Sequence, residues 1–348
     1  MIKKRMSLTI LLIFTLLSFL FLSGCSSDGK SENSSDSETS DTTENTDSDT
    51  PEASTEINIG CMKGPTAIGM IKLLSDSDDG KTQNTYHYTI AGTADELSAA
   101  LIQGDMDIAA VPCNLASVLY NKTNGEILTV SINTLGVLYI VEGGETIQSV
   151  TDLRGKTIYS TGQGTTPEYT LRYLLTANGL NPDTDVTIEY KSGAAEVVAT
   201  LAQNPEAVAM LPQPYVTSAM NNNENLRIAL DVTKEWESSA DGTVVTGVLV
   251  ARKSFIEENR EAFAAFLEEY EASTLYANES VEETAQLLEK FDIFKAAIAK
   301  TAIPYCNVTY IDGEEMKTKA TAYLQVLYAQ NPASVGGSVQ EGMFWLED

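Results

Sequence analysis

Two stretches of the chain, one hundred residues apart, share the same order of apolar and polar positions. Residues 57–74 read INIGCMKGPTAIGMIKLL and residues 157–175 read TIYSTGQGTTPEYTLRYLL. In each, a short β-branched run is followed by a Gly/Pro/Thr turn and a segment of helical periodicity, which predicts strand, turn and helix. In the second stretch Thr166 is the expected N-cap and Pro167 the first helical residue. Such turns leave backbone N–H groups free beyond the strand, where a polar ligand can bind them.

The similarity continues through the next strand and helix. Residues 91–112 match residues 191–212 at seven of 22 positions, and both segments end in proline. This repeat predicts two similarly built α/β lobes, each with one turn after its first strand and another after the strand that ends in Pro112 or Pro212. Two lobes with matching turns imply a cleft between them. The alternative, that any two strand–helix units look alike, stays open at this point.

The remaining periodicities predict further short strands and a carboxyl-terminal third that is mostly helical. Apolar runs predict strands at Tyr86–Ile90, Asp107–Val111, Ile127–Ile132, Val137–Val141, Val186–Tyr190, Ala207–Leu211, Leu226–Asp231 and Thr243–Ala251. Helical spacing predicts helices at Ala94–Gln103, Leu115–Tyr120, Glu196–Gln203, Val281–Lys290, Ile293–Lys300 and Glu314–Ala329. Ser254 and Glu257 have the S-x-x-E spacing of a capping box. We assign residues 57–135 and 250–348 to lobe 1 and residues 136–249 to lobe 2.

The first 25 residues have the features of an export signal. Three basic residues at positions 3–5 precede an apolar run from Leu8 to Leu22, which is too short for a permanent membrane span. The run ends in Leu-Ser-Gly-Cys, which resembles the lipobox of bacterial lipoproteins, in which the cysteine is acylated. Cys25 is therefore the predicted lipidation site. The alternative is a simple secretion signal in which this cysteine is incidental.

Residues 26–56 contain ten acidic residues and one lysine, with almost no apolar side chains. Such a segment cannot bury enough surface to offset the entropy lost on ordering, so it is predicted to be a disordered acidic linker that holds the folded region away from a membrane. The whole chain has a net charge of −27, which disfavours nucleic acid as a partner. No later apolar run approaches the roughly twenty residues of a membrane span.

The candidate chemistry disfavours catalysis. His87 is the only histidine and lies far in sequence from any expected nucleophile, so neither Ser-His-Asp nor Cys-His chemistry is supported. Residues 162–167 begin like a G-x-G-x-x-G motif but end in proline and lack the lysine of a P-loop. Cys61, Cys113 and Cys306 have neither zinc-ligand spacing nor the even number of a disulfide framework. They are expected to be buried or pocket-lining thiols, and a disulfide between the first two stays open. We expect no metal, no cofactor and no enzymatic activity.

Several of these features together resemble the solute-binding lipoproteins of ABC importers, in particular the group that binds thiamine precursors, nitrate, taurine and other sulfonates. The resemblance rests on the lipobox, the acidic linker, and the segments SVTDLRGK at 149–156, DIAAVP at 107–112 and LPQPY at 211–215. It implies an α/β, two-lobed type II periplasmic-binding-protein fold, in which each lobe is a mixed, mostly parallel sheet flanked by helices and the ligand cleft lies between the lobes. It also implies a monomer, lipid-anchored on the extracytoplasmic face of a bacterial cell membrane, that delivers a small solute to an ABC permease.

The resemblance places the ligand at four turns that line the cleft. The implied ligand-binding residues are Lys63, Gly64, Pro65, Thr66, Cys113, Asn114, Gly162, Gln163, Gly164, Thr165, Thr166, Gln213 and Tyr215. Basic or amide donors are few in these turns, which disfavours a fully charged oxyanion. Tyr215 is the first candidate for stacking on a flat ligand, with Trp236 and Tyr305 as second choices; for each of the three, simple packing in the core or on the surface is the alternative. Two other functions stay open: a membrane-tethered enzyme of the same fold acting on a small pyrimidine or amine, and a ligand-sensing surface receptor.

Overall fold

A computed structural model describes residues 54–204, 206–240 and 242–346 of the chain. The predicted export signal, Cys25 and the acidic linker up to residue 53 lie outside these ranges. Within them, the apolar runs form two β-sheets, and segments of helical periodicity cover the sheets. Among the described residues, no helix combines the length and the apolar character needed to cross a bilayer.

Strands and helices alternate along the chain until the last third, where helices predominate. The strands are β1 (Glu56–Met62), β2 (Thr85–Ala91), β3 (Ile108–Pro112), β4 (Ile127–Leu135), β5 (Leu138–Gly143), β6 (Thr157–Ser160), β7 (Thr187–Tyr190), β8 (Val208–Pro212), β9 (Leu226–Asp231), β10 (Val245–Arg252) and β11 (Val308–Ile311). The α-helices are α1 (Ile71–Asp78), α2 (Ala94–Gln103), α3 (Cys113–Lys122), α4 (Thr166–Ala177), α5 (Ala194–Gln203), α6 (Tyr215–Asn222), α7 (Val232–Glu237), α8 (Lys253–Glu258), α9 (Arg260–Glu279), α10 (Val281–Lys290), α11 (Ala296–Ala302) and α12 (Gly313–Gln330). Short 3-10 helices lie at Pro65–Met70, Val150–Leu153, Ile303–Tyr305, Pro332–Val335 and Glu341–Met343.

Lobe 1 is built on a six-stranded sheet with the order β11-β4-β10-β3-β1-β2. Strand β1 pairs in parallel with β2 and β3, whereas β10 runs antiparallel to β3 and β4, and β11 antiparallel to β4. Strands β1 to β4 therefore point one way, and β10 and β11 point the other way. The first four residues of β3, IAAV, are all buried, as expected for a parallel strand covered on both faces.

Lobe 2 is built on a five-stranded sheet with the order β7-β6-β8-β5-β9. Strand β6 pairs in parallel with β7 and β8, and β5 runs antiparallel to β8 and β9. The order β7-β6-β8 in lobe 2 repeats the order β2-β1-β3 in lobe 1, and one antiparallel strand follows in each. The two similarly built lobes predicted from the sequence repeat are confirmed.

The chain crosses from lobe 1 to lobe 2 between β4 and β5, and returns after β9 through α7 into β10. The sequence pattern predicts residues 245–249 in lobe 2, whereas the structure places them in β10, inside the six-stranded sheet. The reason is the hydrogen-bond ladder, because β10 pairs with β3 along one edge and with β4 along the other. This part of the apolar run therefore belongs to the sheet of lobe 1.

Helix α12 packs against both lobes. Its Tyr323 is 1% exposed and shares a hydrogen bond of 2.8 Å with the hydroxyl of Thr170 in α4. The ring of Tyr323 lies 5.1 Å from that of Trp236, which in turn lies 4.5 Å from the ring of Tyr173. These contacts belong to a hydrophobic cluster that includes buried residues of both sheets. The two lobes therefore share a core along α12.

The structure differs from the sequence prediction at two helix starts and two short elements. Thr165, not Thr166, is the N-cap of α4, because Thr165 has the extended backbone of a cap while Thr166 is already helical. The N-cap of α8 is Arg252, so the predicted capping box at Ser254–Glu257 does not form. Helix α7 and strand β11, of six and four residues, are absent from the sequence prediction because such short elements carry little periodicity.

Candidate functional site

The first candidate turn follows β1 and leads into the 3-10 helix that begins at Pro65. Thr66 is 7% exposed, and its Oγ1 has no hydrogen-bond partner among the described residues. Gly64 is buried, yet a Cβ placed on it would meet no atom within 4 Å. Lys63, the only cationic residue in the four turns, forms an ion pair of 3.1 Å with Asp292. The positive charge of this turn is therefore already paired with a carboxylate.

The second candidate turn precedes α4 and depends on two glycines with positive φ, Gly162 at 70° and Gly164 at 76°. Thr165 Oγ1 donates to the Gly162 carbonyl at 2.7 Å, which closes the turn. The Gly164 N–H donates to Glu168 Oε2 at 2.7 Å. This N–H, expected from the sequence to be available for a ligand, therefore already binds a carboxylate. Gln163, at the tip of the turn, is exposed.

Asn114 and Thr166 join a turn of lobe 1 to a turn of lobe 2. Thr166 Oγ1 donates to Asn114 Oδ1 at 3.2 Å, and the two residues are 1% and 2% exposed. Asn114 Nδ2 donates to the Ser334 carbonyl at 3.0 Å, so both ends of its amide are paired. Two residues that the sequence places on opposite sides of a cleft are therefore in direct contact.

A second contact between the lobes joins Tyr215 and Phe294. Tyr215 is the first residue of α6, and Phe294 lies in the loop between α10 and α11. Their ring centroids are 5.2 Å apart in an edge-to-face arrangement. The same loop carries Asp292, the partner of Lys63. Burial raises the pKa of the Tyr215 hydroxyl, which therefore stays protonated at neutral pH. This loop thus contacts candidate residues of both lobes.

Gln213 and the three cysteines of the described residues are buried. Gln213 is 2% exposed, and its Oε1 accepts hydrogen bonds from the N–H and the hydroxyl of Thr217. Cys61, Cys113 and Cys306 are free and buried, so no disulfide joins the first two. Burial raises the pKa of all three thiols, that of Cys61 to about 12. They are therefore inert apolar residues of the interior.

The two second-choice aromatic residues lie in different environments. Trp236 is 0% exposed and packs between the rings of Tyr173 and Tyr323. Its packing places it in the core, which was the alternative to a ligand contact. Tyr305 is 54% exposed, and its carbonyl accepts a hydrogen bond of 3.3 Å from the Tyr139 hydroxyl of lobe 2.

A group of buried polar side chains near the first turn is not predicted by the sequence. Asn133 and Thr134 of β4, and Tyr270 and Thr274 of α9, are each at most 2% exposed. Apart from one another, the amide of Asn133 and the three hydroxyls have no hydrogen-bond partner among the described residues. The available signal was the composition of β4, ILTVSINTL, because polar residues rarely interrupt a fully buried strand unless something pairs with them.

A surface cavity of about 700 Å³ lies elsewhere in lobe 1, between α8, α9 and the carboxyl-terminal residues. Carboxylates and two cations line it: Glu257, Glu261, Glu268, Glu271, Asp312, Lys253 and Arg260. It contains no residue of the four candidate turns, so it is separate from the candidate site.

Comparison with known families identifies the type of protein. The family described as "ABC transporter, phosphonate, periplasmic substrate-binding protein" matches residues 79–302. This chain belongs to that family. No curated protein matches the sequence of this substrate-binding protein.

Solved structures share the fold of the substrate-binding protein. An ABC transporter protein from Parabacteroides distasonis is 24% identical, with a TM-score of 0.71 over 84% of this chain and 100% of that one. The alkanesulfonate-binding protein SsuA from Xanthomonas axonopodis, bound to MOPS, is 13% identical, with a TM-score of 0.66 over 85% and 100%. The nitrate-binding protein NrtA from Synechocystis is 15% identical, with a TM-score of 0.61 over 83% and 87%.

Family membership fixes the general role. The substrate-binding protein is an extracytoplasmic solute receptor of an ABC importer, with a small-molecule ligand and a membrane permease as partners, and not an enzyme. The predicted two-lobed fold and the predicted solute-binding function are thereby confirmed.

Proposed function

We propose that this substrate-binding protein is a lipid-anchored monomer whose two lobes close over one small polar solute. Acylation of Cys25 anchors the chain to the extracytoplasmic face of the membrane, and the acidic residues that follow hold the folded region away from it. More than one acyl chain gives stable anchoring, since each buried methylene contributes about 0.8 kcal/mol. The moving bodies are lobe 1, residues 57–135 and 245 onward, and lobe 2, residues 136–244.

The solute is held by turns of both lobes. Lobe 1 contributes Lys63–Thr66 and Cys113–Asn114, and lobe 2 contributes Gly162–Thr166 with Gln213 and Tyr215. The observation that supports this proposal is the 3.2 Å hydrogen bond between Thr166 and Asn114, because it brings one turn of each lobe together.

A ligand that contacts both lobes stabilises the closed form by the difference between its affinities for the closed and open forms. Capture at micromolar concentration requires a total binding free energy of about −8 kcal/mol. Release to the permease then requires contacts with the permease that favour the open form, since a partner with equal affinity for both forms shifts nothing.

The test of the site compares two glycines that have the same backbone conformation. Gly164 in the second turn has φ +76° and Gly179 after α4 has φ +73°, and a Cβ on either would meet no atom within 4 Å. Gly164→Val and Gly179→Val should therefore carry a similar backbone cost, of about 1–2 kcal/mol each. Thermal unfolding with phosphonates, sulfonates, nitrate, pyrimidines and amines then measures binding. We expect stabilisation by a ligand in the wild type and in Gly179→Val, and its loss in Gly164→Val. Equal stabilisation in all three proteins would refute the proposed site.

The anchor is tested by Cys25→Ala. The thiol carries the lipid, so we expect the variant to leave the membrane fraction and appear in the soluble fraction, whereas Cys61→Ala stays with the membrane. Retention of Cys25→Ala in the membrane fraction would contradict acylation at this position.

A further inference from the structure

The interior of lobe 1 contains a set of buried polar side chains that have few hydrogen-bond partners among the described residues. This interior polar set consists of Thr66, Asn133, Thr134, Thr246, Tyr270 and Thr274. The hydroxyls of Thr66, Thr134 and Thr246 are buried without a hydrogen-bond partner among the described residues. The Asn133 amide and the hydroxyls of Tyr270 and Thr274 are paired only with one another. Buried polar groups are nearly always paired, so such a concentration calls for a binding partner.

Contacts around two glycines show that the set is continuous. A Cβ on Gly247 would lie 2.5 Å from Asn133 Oδ1, 2.7 Å from Thr66 Cγ2 and 3.4 Å from Thr134 Cβ. Because Gly247 of β10 has no side chain, Asn133 has space next to Thr66 of the first turn.

The second glycine connects the set to α9. A Cβ on Gly69 would lie 2.9 Å from Thr274 Oγ1 and 3.1 Å from the Tyr270 hydroxyl. The Tyr270 hydroxyl is hydrogen-bonded to the side chains of Thr274 and Asn133. Asn133 thus connects the hydroxyls of α9 to Thr66 of the first turn.

The backbone turns Asn133 and Thr246 out of the regular ladder. In the pairing of β4 with β10, Leu135 faces Val245, Thr134 faces Gly247 and Ile132 faces Val248. Asn133 on β4 and Thr246 on β10 are the residues left over at these irregularities. Such bulges re-aim a side chain, and they are frequent beside functional sites.

The set lies at the edge of lobe 1 that meets lobe 2. Asn133 and Thr134 immediately precede the first crossing between the lobes, and Thr246 immediately follows the second. Thr66 belongs to the first candidate turn. The set is therefore continuous with the proposed solute site.

The charges around the site disfavour an anion. Lys63 is paired with Asp292 at 3.1 Å, and Glu168 lies at the Gly164 N–H, 2.7 Å away, where an oxyanion would otherwise bind. Each member of the interior polar set is uncharged, and burial raises the pKa of Tyr270, so its hydroxyl stays a neutral donor. An uncharged set offers both donors and acceptors but no balancing positive charge for a buried anion.

We infer that the solute presents to the interior polar set an uncharged group with both hydrogen-bond donors and acceptors, of the amide or hydroxyl class, and carries no full negative charge. This inference rests on the proposed function and adds the chemical class of its ligand. It separates this chain from the ligands named for its family and for its structural neighbours, which are phosphonate, alkanesulfonate and nitrate.

The test uses pairs of probes that differ mainly in charge. The pairs are benzamide with benzoate, nicotinamide with nicotinate, and methanesulfonamide with methanesulfonate, supplemented by uracil, methylphosphonate and nitrate. Calorimetry on the intact protein should show binding of uncharged probes, with each anion about tenfold weaker or more. The dissociation constant of the uncharged probe should not change between low and high salt, because screening acts on charges.

Two substitutions that keep shape and remove a hydroxyl test the residues. Thr134→Val removes an unpaired buried hydroxyl, so it should raise the ligand-free unfolding midpoint by about 2 °C for a chain of this size. Tyr270→Phe also removes a partner of Asn133 and Thr274, so it should not raise the midpoint. Thr134→Val should also weaken the best uncharged probe about tenfold. The control variants Thr187→Val, on exposed β7, and Tyr328→Phe, on the surface of α12, should change neither quantity.

The outcomes separate the inference from the proposed function. Tighter binding of methanesulfonate, methylphosphonate or nitrate, weakened by salt, would overturn the inference while the solute-binding function stands. Unchanged probe affinity in Thr134→Val, despite a raised midpoint, would also overturn it, because the set would then hold only solvent. Absence of binding by every probe, together with no small molecule released from the denatured protein in mass spectrometry, would count against both.

Discussion

Gly136 and Thr233 pack against each other where the chain passes between the lobes. Gly136 lies at the first crossing, and Thr233 lies in α7 on the return path. A Cβ on Gly136 would lie 1.8 Å from Thr233 Oγ1, 2.9 Å from its Cβ and 3.1 Å from its Cγ2. Ordinary contacts of a Cβ begin at 3.4 Å, so Gly136→Ala forces a displacement of roughly 1.5 Å between the two crossings.

The expected cost follows from two opposing effects. Overpacking of this kind costs about 1–3 kcal/mol. Replacing glycine by alanine lowers the entropy of the unfolded chain, which stabilises the folded protein by about 0.4–1 kcal/mol. The variant should therefore lose about 1–2 kcal/mol of unfolding free energy, which urea denaturation with an unchanged m-value measures.

A second substitution shows whether the contact is the cause. Thr233→Ala removes the two atoms at 1.8 and 3.1 Å and leaves only its Cβ, so it should restore about 1 kcal/mol or more to the Gly136→Ala protein. Gly92→Ala is the control, because its Cβ would meet only the flexible Glu96 carboxylate, at 3.7 Å. Equal stability of Gly136→Ala and Gly92→Ala, or no rescue by Thr233→Ala, would refute the reasoning.

Three further predictions concern the shared core, the contact between the turns and pH. Trp236→Ala should cost about 3–5 kcal/mol in urea unfolding, as for a large aromatic residue removed from a packed core; a loss under 1 kcal/mol would contradict this burial. Thr166→Val leaves Asn114 Oδ1 buried and unpaired and should cost about 1–3 kcal/mol, whereas an unchanged midpoint would show that the hydrogen bond between the lobes does not contribute. Burial raises the pKa of Glu142, but hydrogen bonds from the loop after β5 and a nearby guanidinium lower it more, so the net pKa lies below its usual value. The contribution of the ionised Glu142 carboxylate to the free energy of unfolding is therefore present above the unfolded pKa of about 4.3 and lost as pH falls through the folded pKa. The unfolding free energy of the wild type should exceed that of Glu142→Gln above the pKa values, and the difference should shrink as the pH falls through them. A difference that does not depend on pH would exclude this role.

Much of the architecture could be predicted because local sequence patterns determine it. The Gly/Pro/Thr turns repeated at an interval of one hundred residues correspond to equivalent places in the two sheets. Helices α2 and α10 have the predicted bounds because each carries a clear apolar stripe and helix-compatible ends. The apolar run at residues 243–251 was recognised as a crossing, but its hydrogen-bond partners depend on the arrangement of β3 and β4, which no local pattern records.

The candidate site was predictable only in part. The turns are visible in the sequence, but their side-chain partners are not. The Gly164 N–H is bound by Glu168, which depends on side-chain placement, and Lys63 is paired with Asp292, which lies 229 residues away in the chain. Asn133 was missed because a bulge, not a motif, sets its direction. The role of Trp236 could not be decided from the sequence, because an isolated aromatic residue gives no sign of whether it packs in a core or on a ligand.

Closure of the two lobes over a solute is tested most directly by a distance between them. Asp95→Cys in α2 and Ala195→Cys in α5 place labels at exposed, equivalent positions of lobe 1 and lobe 2. The buried native thiols of the described residues stay unlabelled, because their raised pKa values suppress the reactive thiolate. Pulsed electron paramagnetic resonance of the doubly labelled Cys25→Ala protein should give a shorter and narrower distance distribution once a stabilising solute is added. A distribution that does not change while calorimetry records binding of the same solute would contradict the account.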